Sequence, residues 1–160
     1  LVFIEQERMY GNKGEVPDDP DFTIPLGVAD VKREGKDVTI VARSLMVPVA
    51  LKAADKLQEQ GVSCEVIDPR TIRPLDIDTI IESVKKTNRV VLAEESHPIC
   101  GVNAEISSQI MEKAFDYLDA PVKRVSGEDV PMPYAKNLEN LAIPDVERVI
   151  AAVREVAYLD

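Results

Sequence analysis

The chain has 160 residues, 45% of them hydrophobic, which is enough for one ordinary core and far from the compositions of disordered or fibrous proteins. Its apolar stretches, at residues 1–4, 38–42 and 90–93, are too short to cross a hydrocarbon layer of about 30 Å. Nineteen basic against twenty-nine acidic side chains leave a formal charge of −10, which disfavours nucleic acid and anionic membranes and makes a basic protein the natural complement. Cys64 and Cys100 have neither metal-ligand spacing nor a second pair to suggest a disulfide framework, and read as thiols of a reducing compartment.

The opening Leu-Val-Phe-Ile-Glu has no start Met, basic segment or cleavage pattern; it reads as a strand, in a chain cut from something longer. The next twenty residues are rich in Gly, Pro and Asp and read as a linker. Strands are expected around Val28 and Val31 and at residues 38–42, on either side of a turn at residues 34–37, as in a hairpin. A helix over residues 45–60 follows, with Ser44 as N-cap, Pro48 in the first turn and Gly61 as its stop.

Residues 64–68 form the next strand. A loop leads to a helix capped by Asp76 or Asp78, carrying Ile80, Ile81 and Val84 and ending at Lys85 and Lys86, which suit its dipole. Residues 89–95 are a strand apolar enough to be buried on both faces. A helix over residues 102–117 places Ile106, Ile110, Met111, Ala114 and Phe115 on one side. Residues 121–125 are a strand, 127–134 a loop, and Pro144 opens a last helix with Val146, Val149, Ile150, Val153 and Val156. Strands recurring at roughly 25 residues with helices between them require crossovers, hence an α/β fold with a mostly parallel sheet covered on both faces.

Chemistry concentrates in Glu94-Glu95-Ser96-His97-Pro98-Ile99-Cys100-Gly101, at the carboxyl end of a strand and ahead of a helix, where open α/β sheets take ligands. A Cys100–His97 nucleophile pair, or His97 as general base, would make a small stand-alone hydrolase or transferase. A lone His beside carboxylates on a Pro-broken loop is more often structural, however, and Glu94 and Glu95 should face opposite sides of the sheet. Gly101 could present helix amides to an anion, as a regulatory ligand site, but lacks phosphate-loop glycine spacing. Arg70 and Arg73 could bind phosphate or pair with Asp68, Asp76 and a neighbouring subunit. None of these groups closes an active site.

Four segments are read together: Ile67-Asp68-Pro-Arg-Thr-Ile-Arg-Pro-Leu-Asp76, Ser83-Val-Lys-Lys-Thr87, Asp116-Tyr-Leu-Asp-Ala-Pro-Val122 and Asp129-Val-Pro-Met-Pro-Tyr-Ala135. Together they resemble the beta subunit of the thiamine-dependent decarboxylase of pyruvate dehydrogenase complexes. The resemblance implies that residues 1–26 end a preceding pyrimidine-binding domain and its linker, and that 27–160 are a transketolase C-terminal domain, three-layered with a five-stranded sheet. It implies a subunit-association role in the enzyme that oxidatively decarboxylates pyruvate and passes acetyl to lipoamide, the fragment alone being inactive. A branched-chain 2-oxo acid dehydrogenase is the neighbouring alternative, since pyruvate members often have Glu-Gly-Trp-Pro where this chain has Glu95-Ser-His-Pro98.

Implied partners are the alpha subunit, a second beta subunit across a two-fold axis, and the basic subunit-binding domain of the dihydrolipoyl acyltransferase. By motif position Asp119 is the docking residue, helped by the tail beyond Val156, with a turn residue ahead of Pro121 as the alternative. Thiamine diphosphate and magnesium belong, on this reading, to the full enzyme and not to these residues. The implied compartment is the cytoplasm of a bacterium or the mitochondrial matrix of a eukaryote.

Overall fold

The computed structural model describes Val2 and residues 5–159. The strand expected over residues 1–5 falls largely outside the described residues.

Five strands form one sheet: β1 (Asp30–Arg33), β2 (Val38–Ala42), β3 (Cys64–Asp68), β4 (Val90–Ala93) and β5 (Lys123–Val125), in the order β1-β3-β2-β4-β5. The pairs β3/β2, β2/β4 and β4/β5 are parallel, and β1 runs antiparallel to β3. Among the described residues, five α-helices accompany them: α1 (Met46–Gln58), α2 (Ile77–Thr87), α3 (Val102–Ala114), α4 (Lys136–Ala142) and α5 (Val146–Ala157). Helices α1 and α5 pack together on one face, α2 and α3 on the other.

Period-two alternation divides the apolar strands between the two faces. Val38, Ile40, Val91, Ala93 and Val125 join Ala50, Ala54, Leu57, Val149 and Val153 in one core cluster. Val41, Ile67, Val90 and Leu92 join Ile80, Val84, Ile106 and Ile110 in the other. Each such side chain is worth about 1.5–3 kcal/mol on full burial, so two cores on opposite faces hold the central strands from both sides. Thr39 is the polar member of β2, and its hydroxyl is satisfied by Ser83 Oγ at 2.6 Å and Thr87 Oγ1 at 2.7 Å.

The expected hairpin is not formed. The turn after β1 is pinned to the start of β3 instead: Lys36 and Asp37 donate to the Ser63 carbonyl at 3.1 and 2.9 Å, and a Cβ on Gly35 would stand 2.1 Å from Glu65 N. The chain therefore passes over β3, leaving β1 on its far side, with Asp30 opposite Asp68.

Helix ends also depart from expectation. Leu45, not Ser44, occupies the cap position of α1, because Ser44 is left-handed with φ 52° and offers no capping bond. Asp76 does cap α2, accepting from Thr79 N at 3.2 Å. Helix α3 stops at Ala114, a 3-10 turn at Phe115–Tyr117 follows, and Met111 and Phe115 are exposed instead of facing the core. Helix α4 falls between the loop expected at residues 127–134 and the last helix, in a stretch for which no element was expected, and among its residues only Ala142 is buried.

From β2 the chain leaves through α1 toward β3, and from β4 through α3, on the opposite face, toward β5. The connections diverge between β2 and β4. Their carboxyl ends therefore flank the crevice where an open α/β sheet places its ligand site.

Candidate functional site at the carboxyl edge of the sheet

Arg43 follows β2 and Glu94 follows β4, so parallel pairing brings the two residues to the same end of neighbouring strands. Glu94 is 1% exposed, and its Oε2 accepts from Arg43 Nη2 at 2.9 Å. Ser96 Oγ donates to the same oxygen at 2.7 Å, the Asn103 backbone N–H of α3 donates to it at 3.3 Å, and Ser126 Oγ lies 3.4 Å from Oε1. A buried carboxylate costs several kcal/mol unless it is paired and hydrogen-bonded, and this one has a guanidinium, two hydroxyls and a helix amide. Asn103 Oδ1 also accepts from Arg43 Nη1 at 3.3 Å, and Asn103 Nδ2 is buried without a partner.

Of the remaining expected residues, Gly101 alone lies against this centre. Glu95 turns the other way and accepts from Gln6 Nε2 at 2.8 Å. His97 is exposed, with Nδ1 3.1 Å from the Glu128 carbonyl oxygen and 3.7 Å from Asp129 Oδ1. That nitrogen faces the loop after β5 and not the Cys100 thiol, which is exposed on a residue with φ 57°. Gly101 begins α3, but a carboxylate of the same chain already lies against that helix start: a Cβ there would come within 2.4 Å of Glu94 Oε1. Arg70 pairs with Asp30 at 2.7 Å, and its amide donates to Asp68 Oδ1 at 2.9 Å. Arg73 lines a separate surface groove with Ile72, Leu75, Val102 and Gln109.

Asp119 stands well away on the surface beside a groove of about 470 Å³ lined by Met111, Phe115, Leu118 and Pro121. Its carboxylate is 3.4 Å from Arg89 Nη2, its amide donates to the Asn88 carbonyl at 2.8 Å, and its own carbonyl accepts from Tyr158 Oη at 3.1 Å. The side chain keeps 58% exposure, so it stays open to a cation from outside.

Magnesium diphosphate needs a cluster of oxygen ligands. Among the described residues no group of three His, Cys, Asp or Glu side chains could hold a metal ion. Arg43, which follows β2 at the crevice, is committed to Glu94. These residues do not fit thiamine diphosphate and magnesium. No described helix is long and apolar enough to cross a membrane.

The model of the transketolase C-terminal domain matches residues 27–149. The chain belongs to that family. Its curated relatives include the pyruvate dehydrogenase E1 component subunit beta of Rhizobium meliloti, 51% identical over 99% of this chain and 34% of the relative. The same-named protein of Rickettsia felis is 54% identical over 99% and 48%, and the mitochondrial subunit beta-1 of Arabidopsis thaliana 52% over 99% and 44%. The chain thus spans a third to a half of the length of these relatives. Among solved structures, a split-gene transketolase described as an inactive beta4 tetramer aligns with a TM-score of 0.75 at 33% identity, covering 90% of this chain and 46% of that one. The 2-oxoglutarate:ferredoxin oxidoreductase of Magnetococcus marinus, with a TM-score of 0.54 at 12% identity over 81% of this chain and 19% of that one, shares the fold alone.

Arg43, Asn103 and Ser126 were not singled out from the sequence. A signal was available for Arg43, since it and Glu94 are charges placed directly after two fully buried strands. Asn103 and Ser126 had none without knowledge of which strands are neighbours.

Proposed function

We propose that this transketolase C-terminal domain is the subunit-association portion of a pyruvate dehydrogenase beta subunit. The enzyme it serves oxidatively decarboxylates pyruvate and passes acetyl to lipoamide. The observation that carries the reading is 51–54% identity over 99% of the chain to pyruvate dehydrogenase E1 beta subunits. The geometry supports a non-catalytic role for the domain alone, because the crevice that would take a ligand is occupied by the Arg43–Glu94 pair. On this reading residues 1–26 close the preceding pyrimidine-binding domain and its linker, and residues 27–160 form the associating domain. Thiamine diphosphate and magnesium are held elsewhere in the assembled enzyme, in the cytoplasm of a bacterium or the mitochondrial matrix.

Its partners are then the alpha subunit, a second beta subunit and the basic subunit-binding domain of the dihydrolipoyl acyltransferase. Asp119 is the docking carboxylate: it is exposed, it is shared with only one guanidinium at 3.4 Å, and it borders an apolar groove that a partner can fill. With a net charge of −10 behind it, docking of a cationic domain is steered and weakens as salt screens both sides. Calorimetric titration of that domain into the assembled alpha–beta enzyme tests this. Affinity falling steadily with salt supports the reading; salt-independent binding, or none, removes the docking role.

A further inference from the structure

The Glu94 carboxylate is held from four directions. Arg43 comes from the end of β2, Ser96 from the strand-end loop, Asn103 N from the first turn of α3 and Ser126 from the end of β5. Gly101 completes the enclosure, with room beside Oε1 for a hydrogen and not for a methyl. The anion therefore ties together the three elements that meet at the crevice, and it lies at the positive end of α3, where negative charge is favoured.

The outer side of the same loop makes different contacts. Glu95 Oε1 accepts from Gln6 Nε2 at 2.8 Å, the Ser96 carbonyl from Gly127 N at 3.0 Å, and the Pro98 carbonyl from Arg124 Nη1 at 3.0 Å. His97 Nδ1 meets the Glu128 carbonyl at 3.1 Å. Arg8, two residues beyond Gln6, lies 3.8 Å from Glu139 of α4. The N-terminal segment is thus seated on a loop whose inner side hangs from one buried carboxylate.

We infer that Glu94 is a positioning residue, an internal anion that fixes residues 95–101 so that Glu95 grips the N-terminal segment and His97 meets the loop after β5. The inference uses geometry alone and does not rest on the reaction proposed above. Charge and reach are both required of the side chain. Asp keeps the charge but pulls it back by one methylene, Gln keeps the shape and loses the anion, and Ala leaves a space lined by Arg43, Ser96 and the α3 amide that matches acetate in size and charge.

Hydrogen exchange of the intact protein, followed residue by residue, tests it. In Glu94→Ala, the amides of Gly127 and Ala104, which donate to the Ser96 and Gly101 carbonyls of that loop, and the Met9 amide, which donates to the Gln6 carbonyl, should lose protection by about tenfold or more, the equivalent of one charged hydrogen bond, while β2 and β3 change far less. Added acetate should restore the lost protection, and Gln6→Ala should loosen the N-terminal segment while leaving Gly127 and Ala104 protected. Should Glu94→Ala fail to fold, Glu94→Gln and Ser96→Ala are read in the same way, without the acetate arm. Unchanged protection at Gly127 and Ala104, or a loss spread evenly over the core strands that acetate does not reverse, would overturn the inference.

Discussion

Gly101 lies against Glu94 so closely that a Cβ at position 101 would stand 2.4 Å from Glu94 Oε1 and 2.7 Å from the His97 carbonyl. The glycine is required for space and not for backbone freedom, since its φ of −67° suits any residue. Gly101→Ala must therefore push the carboxylate off its partners or move the start of α3. An overpacking cost of about 1–3 kcal/mol is expected, read as a lower midpoint in denaturant. Gly11→Ala, with nothing within 4 Å of the new methyl, should stay within about 0.5 kcal/mol of the parent.

The two cysteines differ sharply in reactivity. Burial in the β3 core pushes the Cys64 thiol up to about 12, so at neutral pH it carries almost no thiolate. Cys100 is exposed at the end of the strand-end loop. A thiol reagent at pH 8 should modify one group quickly in the folded protein and the second only after denaturation. Rapid modification of both in the folded state would contradict this placement.

Glu65 and Lys86 form a pair between β3 and α2, with the carboxylate 3% exposed and the ammonium 44%. Burial alone would raise the Glu65 carboxyl, but hydrogen bonds from Lys86, Ser83 and the Gly35 amide hold it below its ordinary value. Lys86 is raised, chiefly by its bond to Glu65. The depressed carboxylate adds stability above its unfolded pKa of about 4.3, and this is lost as pH falls through the folded value. The raised ammonium adds stability below its unfolded pKa of about 10.4, lost as pH climbs through the folded value. A melting-temperature profile should thus show both flanks, and Glu65→Gln should flatten them. Equal profiles for parent and variant would show the pair to be neutral.

Asp119 can be separated from the rest of the charge. Removing one rim carboxylate should slow association and reduce its salt dependence, with little change in stability because the side chain is largely exposed. Stopped-flow binding of the subunit-binding domain to Asp119→Asn should therefore show a lower association rate at low salt, converging on the parent at high salt. An unaltered rate would move docking elsewhere on this face.

Most of the layer structure was legible because period-two strands and capped helices are local signals: β2, β3, β4 and β5 lie within residues expected to be strands, and Asp76 caps α2. The sheet order was not. A hairpin across residues 34–37 suits the local pattern as well as the observed crossing over β3, and only the long-range bonds to Ser63 and the packing of Gly35 against Glu65 decide between them. The strand-end loop was singled out for its place after a buried strand. Its inner architecture was hidden, since Arg43, Glu94 and Ser126 lie up to 83 residues apart and meet only once strands β2, β4 and β5 are adjacent.

Turnover by reconstituted enzyme separates an associating domain from one with chemistry of its own. The intact beta subunit carrying this domain is combined with its alpha subunit, thiamine diphosphate and magnesium, and offered pyruvate or a branched-chain 2-oxo acid. The expected result is decarboxylation that prefers pyruvate, needs both subunits and is absent from residues 27–160 alone. A preference for the branched-chain acid, or turnover by those residues without the alpha subunit, would contradict it.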